Sequence, residues 1–172
     1  MKITVAEARL LKNAIETKLH DLLRERQQVA FVEFEKNEEY TPHSRTVEEV
    51  TKEIEKVRRH YREVKRALAE SNLKTTIEWN NESITLVEAL ELVKQLRAEA
   101  MTLQTLGKSR QVERFTKGAF DTSVLYKKAL FDPQAIKIQG DQLLREANRL
   151  SILIDKANFN AEVLFDFVNE YQ

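Results

Sequence analysis

Between Thr46 and Ser71 the chain places an apolar side chain at alternating intervals of three and four: Val47, Val50, Ile54, Val57, Tyr61, Val64 and Leu68. That is the a/d stripe of a heptad repeat, sustained for about three repeats, with charged residues at most other positions. At about 1.5 Å of rise per residue, such a helix runs for about 40 Å. The stripe is narrow, which suits a rod packed against one or two other rods better than a helix deep in a globule. Thr46 and Glu49 open it as a capping box, the hydroxyl accepting from one free amide and the carboxylate from another. On the outer face Glu48–Lys52 is a favourable pair and Glu49–Glu53 an unfavourable one.

The same periodicity marks four helices, at about 5–32, 46–71, 86–106 and 133–158. Thr4 and Glu7 form a capping box before Val5, Ala8, Ile15, Leu19, Leu22 and Val29. Lys12 and Arg26 interrupt that seam, their stems lying along it while the charges reach water. Asn37–Ser44, with Pro42, reads as a loop. From about 76 to 86 the period drops to two around Asn80-Asn81, which predicts a β-hairpin anchored by Trp79. Thr85 and Glu88 make a third capping box, and Leu86, Ala89, Leu90, Val93, Leu96, Ala100 and Leu103 follow. Gly107 is placed to end that helix as its C′ residue. Asp132-Pro133 opens the fourth helix, which carries Ile136, Leu143, Ala147, Leu150 and Ile154, with Gly140 on the seam to allow close approach.

Lys108–Phe131 is long for a link without structure of its own, so a strand or folded arm is expected within Val112–Phe120. The aromatic end, Phe159–Phe167, is expected to cap the bundle or dock on a neighbouring subunit. Together these readings give one all-α domain over residues 1–172, an antiparallel coiled coil or four-helix bundle with a small β-hairpin at one tip.

Composition narrows the function classes. Charged residues are 33% of the chain, with only 3 Gly and 2 Pro, as long helices require. Formal net charge is zero, against a general binder of nucleic acid or anionic membrane. Without cysteine, disulfides, thiolate zinc sites and cysteine nucleophiles are excluded. The first residues are charged throughout and lack an apolar export core. No apolar run approaches the roughly 20 residues of a membrane span. A cytoplasmic location, with no transmembrane segment, is the expectation.

Catalytic constellations are missing. A di-metal helical bundle needs Glu-x-x-His pairs, which put both ligands on one helix face, and none occurs. His20, His43 and His60 share no ligand spacing and read as surface residues; Glu16 and His20, one turn apart, are a lone pair. There is no nucleophile elbow, phosphate loop or dinucleotide turn. Gly107-Lys108-Ser109 follows a helix and lacks the upstream glycine, so it reads as a helix stop. The expectation is no enzyme, with no catalytic, cofactor or metal residues.

Two basic clusters are candidate phosphate contacts: Arg58, Arg59, Arg62 and Arg66 in the second helix, and Lys108, Arg110, Arg114 and Lys117 after the third. A solvated face balanced by acidic segments such as Glu33–Glu39 is the simpler reading. The mixed charge of the helices also fits helix packing better than a membrane surface.

The order of these features resembles the septicolysin-like family of small bacterial coiled-coil proteins. The likeness runs from about Thr4 to Leu164: Asn72-Leu-Lys-Thr-Thr after a charged helix, Thr85-Leu-Val-Glu-Ala-Leu opening a leucine-rich one, Arg114-Phe-Thr-Lys, and Asp155-Lys-Ala-Asn158-Phe159-Asn160. Phe159 stands where the family pattern has tryptophan, and Asp166–Gln172 extends beyond it. The resemblance implies a helical, oligomeric bacterial protein and, through the family's name, a membrane-active, cytolysin-like alternative. The function expected is therefore structural. Val47, Val50, Ile54, Val57, Tyr61, Val64 and Leu68, with Trp79, form an interaction seam for a homo-oligomer or another helical protein, and nucleic-acid binding is the alternative.

Overall fold

The computed structural model describes residues 1–115 and 124–171. The chain is largely helical, in the order β1 (Lys2–Thr4), α1 (Val5–Gln28), α2 (Val47–Lys74), β2 (Thr76–Trp79), β3 (Glu82–Thr85), α3 (Leu86–Leu106), β4 (Val112–Phe115), β5 (Leu125–Lys128), α4 (Pro133–Asn160) and β6 (Glu162–Leu164), ending in a 3₁₀ turn at Val168–Glu170. It divides into two compact units, Met1–Thr75 with Ala157–Gln172, and Thr76–Lys156.

All three capping boxes form, each threonine hydroxyl accepting from the N3 amide while the N3 glutamate accepts from the cap amide. Those hydrogen bonds, chiefly the one from the cap backbone, hold Glu7, Glu49 and Glu88 below the usual carboxylate pKa. In the first unit α2 returns antiparallel along α1. Lys18 of α1 pairs with Glu53 of α2 at 3.3 Å. Arg45, just before α2, forks onto both oxygens of Glu25 and reaches Glu53 with its other nitrogen. Between the rods lie Ala8, Leu11, Ile15 and Leu22 of α1 and Val50, Ile54, Val57 and Val64 of α2, all buried. Leu11 fills the seam at the point where Lys12 is expected to interrupt it, and Lys12 is half-buried next to it. α1 stops at Gln28 rather than near residue 32; Val29, its C-cap, still packs against the core before the loop begins.

The expectation of a single β-hairpin is corrected: among the described residues there are three separate two-stranded antiparallel sheets. The β2–β3 hairpin turns at Asn80 and Asn81, both at positive φ (51° and 68°), as a type I′ turn requires. β4 and β5 pair Val112 with Lys128 through Phe115 with Leu125. Part of the strand or arm expected within Val112–Phe120 is thus strand β4, and the rest of that segment lies outside the described residues. The third sheet joins the chain ends, β1 to β6, with Lys2 opposite Leu164. Pairs so distant in sequence leave no local signal. Beyond β6 the expected aromatic cap closes the α1–α2 pair: Phe165, Phe167 and Val168 are buried in its core.

In the second unit α3 and α4 pack antiparallel, Arg97 donating to Ser151 at 2.9 Å and Gln104 to Asp141 at 2.8 Å. Asp132 caps α4, accepting from Gln134 N–H at 2.9 Å. Gly107 ends α3 with a right-handed backbone (φ −64°) instead of as a left-handed C′ residue. Its missing side chain serves packing: a Cβ there would sit 2.6 Å from Lys137 Cβ and 2.9 Å from its Cα. Gly140 is the seam glycine, where a Cβ would lie 3.0 Å from Gln104 N and 3.1 Å from Ala100 O. Both glycines are places where the α3 and α4 backbones nearly touch.

Candidate interaction surfaces

The α2 stripe is turned inward. Val50, Ile54 and Val64 are fully buried and Val57 nearly so, while Val47, Tyr61 and Leu68 are half-buried at its edges. Burying such side chains stabilises a fold by about 1.5–3 kcal/mol each, and here the covering surface comes from α1 and the C-terminal segment of the same chain. The stripe expected to join copies is therefore occupied within one copy. Trp79 is buried in the other unit, with the Arg149 guanidinium 5.7 Å from its ring centre, a cation–π contact that fixes the β2–β3 hairpin.

His60, expected on the surface, is instead buried (8% exposed). Its ring stacks on Phe167 at 3.9 Å with the planes 2° apart, and Nδ1 lies 2.7 Å from Tyr171 Oη. Burial depresses its pKa, Glu170 and Glu63 pulling weakly upward against Lys56 and Arg59. Burial likewise pushes the Tyr171 hydroxyl up to about 12, aided by Glu170 and Glu53. The ion pair Lys56–Glu170, at 2.6 Å, flanks this cluster. The cluster locks the C-terminal segment onto α2, and Tyr171 also lines an open pocket with Met1, Ile3, Leu10 and Val168. A trace was present in sequence: position 60 follows Val57 by three and precedes Val64 by four, so it shares their face.

The other histidines lie outside. His20 is exposed, and His43 donates from Nε2 to the Phe31 carbonyl at 3.0 Å, pinning the loop after α1. Among the described residues no cluster of three or more His, Asp or Glu is placed to hold a metal. Nor, among them, is any helix long and apolar enough to cross a membrane.

Arg58, Arg59, Arg62 and Arg66 are all exposed on α2, three of them in a row at intervals of four; Arg66 reaches Glu70 at 3.7 Å. Lys108, Arg110 and Arg114 are exposed in the other unit, and Lys117 lies outside the described residues.

Two segments missed by periodicity each carry several large exposed side chains. The loop from Val29 to Thr46 leaves Phe31 80%, Phe34 59% and Tyr40 55% exposed. It is nonetheless shaped: Phe34 and Tyr40 rings meet at 5.5 Å, Glu38 N–H donates to Glu35 carbonyl, and Asn37 sits at φ 75°. The β4–β5 arm exposes Val112, Phe115 and Tyr126, and Leu130 beyond it is 94% exposed. At the root of the arm is a groove of about 380 Å³ lined by Leu106, Arg110, Lys127, Leu130 and Phe131 among others. The signal available in sequence was aromatic residues inside strongly charged, non-periodic stretches.

No protein-family model matches the chain, and no curated protein matches it. Its fold is found in a crystal structure described as that of a functionally unknown conserved protein from Corynebacterium diphtheriae, with a TM-score of 0.68 over 95% of this chain and 100% of that one. At 20% identity that likeness is one of fold alone, so this chain takes a helical architecture already seen in a bacterial protein.

Proposed function

We propose that the chain is a non-catalytic interaction protein, with paired helices as a stiff support and the Val29–Thr46 loop and β4–β5 arm as its binding elements. In this reading it works in the cytoplasm, assembles with copies of itself or another protein, and belongs with the septicolysin-like group. One observation carries the interaction role. The α1–α2 seam is closed inside the chain, whereas Phe31, Phe34, Tyr40, Tyr126 and Leu130, clustered on two shaped segments, stand in water. Aromatic side chains left exposed on shaped segments are typical binding anchors.

The test separates seam from loop. Val57→Asp should unfold the first unit, because it puts an unpaired charge into a dry contact. Phe31→Ser with Phe34→Ser should leave the melting temperature unchanged and abolish co-purification of whatever the wild-type chain holds, be it its own copies or a different protein. Partner binding that survives the loop change and an equivalent Tyr126→Ser, Leu130→Ser change would refute the reading.

A second reading, nucleic-acid binding, draws on the exposed row Arg58, Arg62 and Arg66 with Arg59 beside it. It predicts affinity that falls steeply with salt, and a gel-shift titration at low salt with no complex would end it. The cytolysin-like alternative predicts leakage from liposomes.

A further inference from the structure

The loop after α1 and the β4–β5 arm carry opposite charge. In the loop, Glu33, Glu35, Glu38 and Glu39 stand against Lys36 and Arg45, and Arg45 is engaged by Glu25 and Glu53 of the helices; in the described arm and its roots, Lys108, Arg110, Arg114, Lys127 and Lys128 stand against two carboxylates, Glu113 and Asp132. The chain as a whole is neutral, so this is a separation of charge within it. Each segment also exposes large apolar groups in the midst of its charges: Phe31 and Phe34 in the loop, Tyr126 and Leu130 in the arm. One face of the arm presents Val112 and Lys128 as a cross-strand pair next to Arg114 and Tyr126, with no acid among them. Both segments stay exposed within the single chain.

We propose that the arm of one copy is the docking site for the acidic loop of a second copy, with a loop phenylalanine seated in the groove at the arm's root. Deepening the interaction role proposed above, this assignment rests on it and names the partner. The groove is lined by apolar Leu106, Leu130 and Phe131 and by three cations, Arg110, Lys127 and Lys128, against one carboxylate, Glu113. That mixture of apolar side chains and net positive charge matches an aromatic residue flanked by glutamates, which is the local sequence Phe31-Val-Glu-Phe-Glu. The loop is held in shape by His43 and the Phe34–Tyr40 contact, so docking costs less ordering than a free segment would. Donor and acceptor surfaces differ, so the contact is heterologous and reads differently on its two sides.

A charge-swap experiment tests this. Light scattering of the wild-type chain at low ionic strength should give a mass at least double the monomer's, returning to monomer at high salt. A loop variant (Glu33→Lys, Glu35→Lys, Glu38→Lys) and an arm variant (Arg110→Glu, Lys127→Glu, Lys128→Glu) should each be monomeric, with unchanged circular dichroism melts. Mixed in equal amounts, they should recover the higher mass, since each then offers what the other lacks. A monomeric wild type, or two folded variants that stay monomeric when mixed while the wild type associates, overturns the proposal. So does a monomeric wild type whose arm instead holds single-stranded oligonucleotide or phosphatidylserine vesicles. A monomeric wild type that still co-purifies a different protein through its loop or arm removes the self-docking and leaves the interaction role standing.

Discussion

Replacing Ile54 by alanine probes the α1–α2 contact with least disturbance to anything else. Ile54 is fully buried between the rods. Losing its three outer carbons forfeits about 2.4 kcal/mol of transfer free energy at about 0.8 kcal/mol for each. The two helices are fastened on either side of it, by Lys18 and Arg45 on Glu53 and by the terminal aromatic cap, so they have little freedom to close the gap. A residual cavity then raises the loss to about 3–4 kcal/mol, within the usual range for such truncations. In a unit of this size each kilocalorie lowers the melting temperature by about 4–8 °C, so a fall of about 12 °C or more is expected. Leu10→Ala, on the same helix pair but 70% exposed, should stay within about 0.5 kcal/mol. Urea unfolding followed by circular dichroism measures both variants. A loss under 1 kcal/mol at Ile54, or a change in native mass with no change in stability, would show that the seam does not hold one chain together.

Three further outcomes follow from particular contacts. Gly140→Ala would gain about 1 kcal/mol in an uncrowded helix; against the Gln104 and Ala100 backbones it should lose about 1–2 kcal/mol net, and a raised melting temperature would contradict the close approach. His60, whose pKa is depressed by burial, should make stability pH-dependent. Below 6.5 the unfolded chain takes up protons that the folded chain refuses, so stability is full above that pH and falls as pH drops toward the folded pKa. His60→Phe should flatten the curve there, leaving the later loss near and below 4.5 from Glu7, Glu49, Glu53 and Glu88; an unchanged curve between 6.5 and 4.5 refutes the assignment. Asn158 is 2% exposed with neither side-chain amide atom hydrogen-bonded in the chain. Asn158→Leu should therefore raise stability by about 1–3 kcal/mol, whereas a loss would mean that the amide has a partner.

What could be read from sequence was whatever is encoded locally. Three Thr-x-x-Glu boxes gave three helix starts, and Asn80-Asn81 gave a hairpin, because each motif satisfies its own backbone within a few residues. The α2 stripe was legible as a dry contact, but not whether its covering helix belonged to the same chain, since a heptad is identical in either case. The β1–β6 pairing was invisible because 157 positions or more separate its strands, from Thr4–Glu162 outward. Gly107 was read by its commonest use and serves another; only packing against Lys137 reveals it. The loop and arm escaped notice as binding elements because apolar residues there follow no period, and their meaning rests on exposure.

Spin labelling of the cysteine-free chain offers the most direct measurement. With labels at positions 18 and 53, whose side chains meet across α1 and α2, pulsed electron paramagnetic resonance is recorded alone and then in a large excess of unlabelled chain. If each copy closes its own helix seam, a short distance between labels is seen with the same amplitude in both samples. If dilution abolishes that distance, the rods pair between copies and the seam is an interface after all.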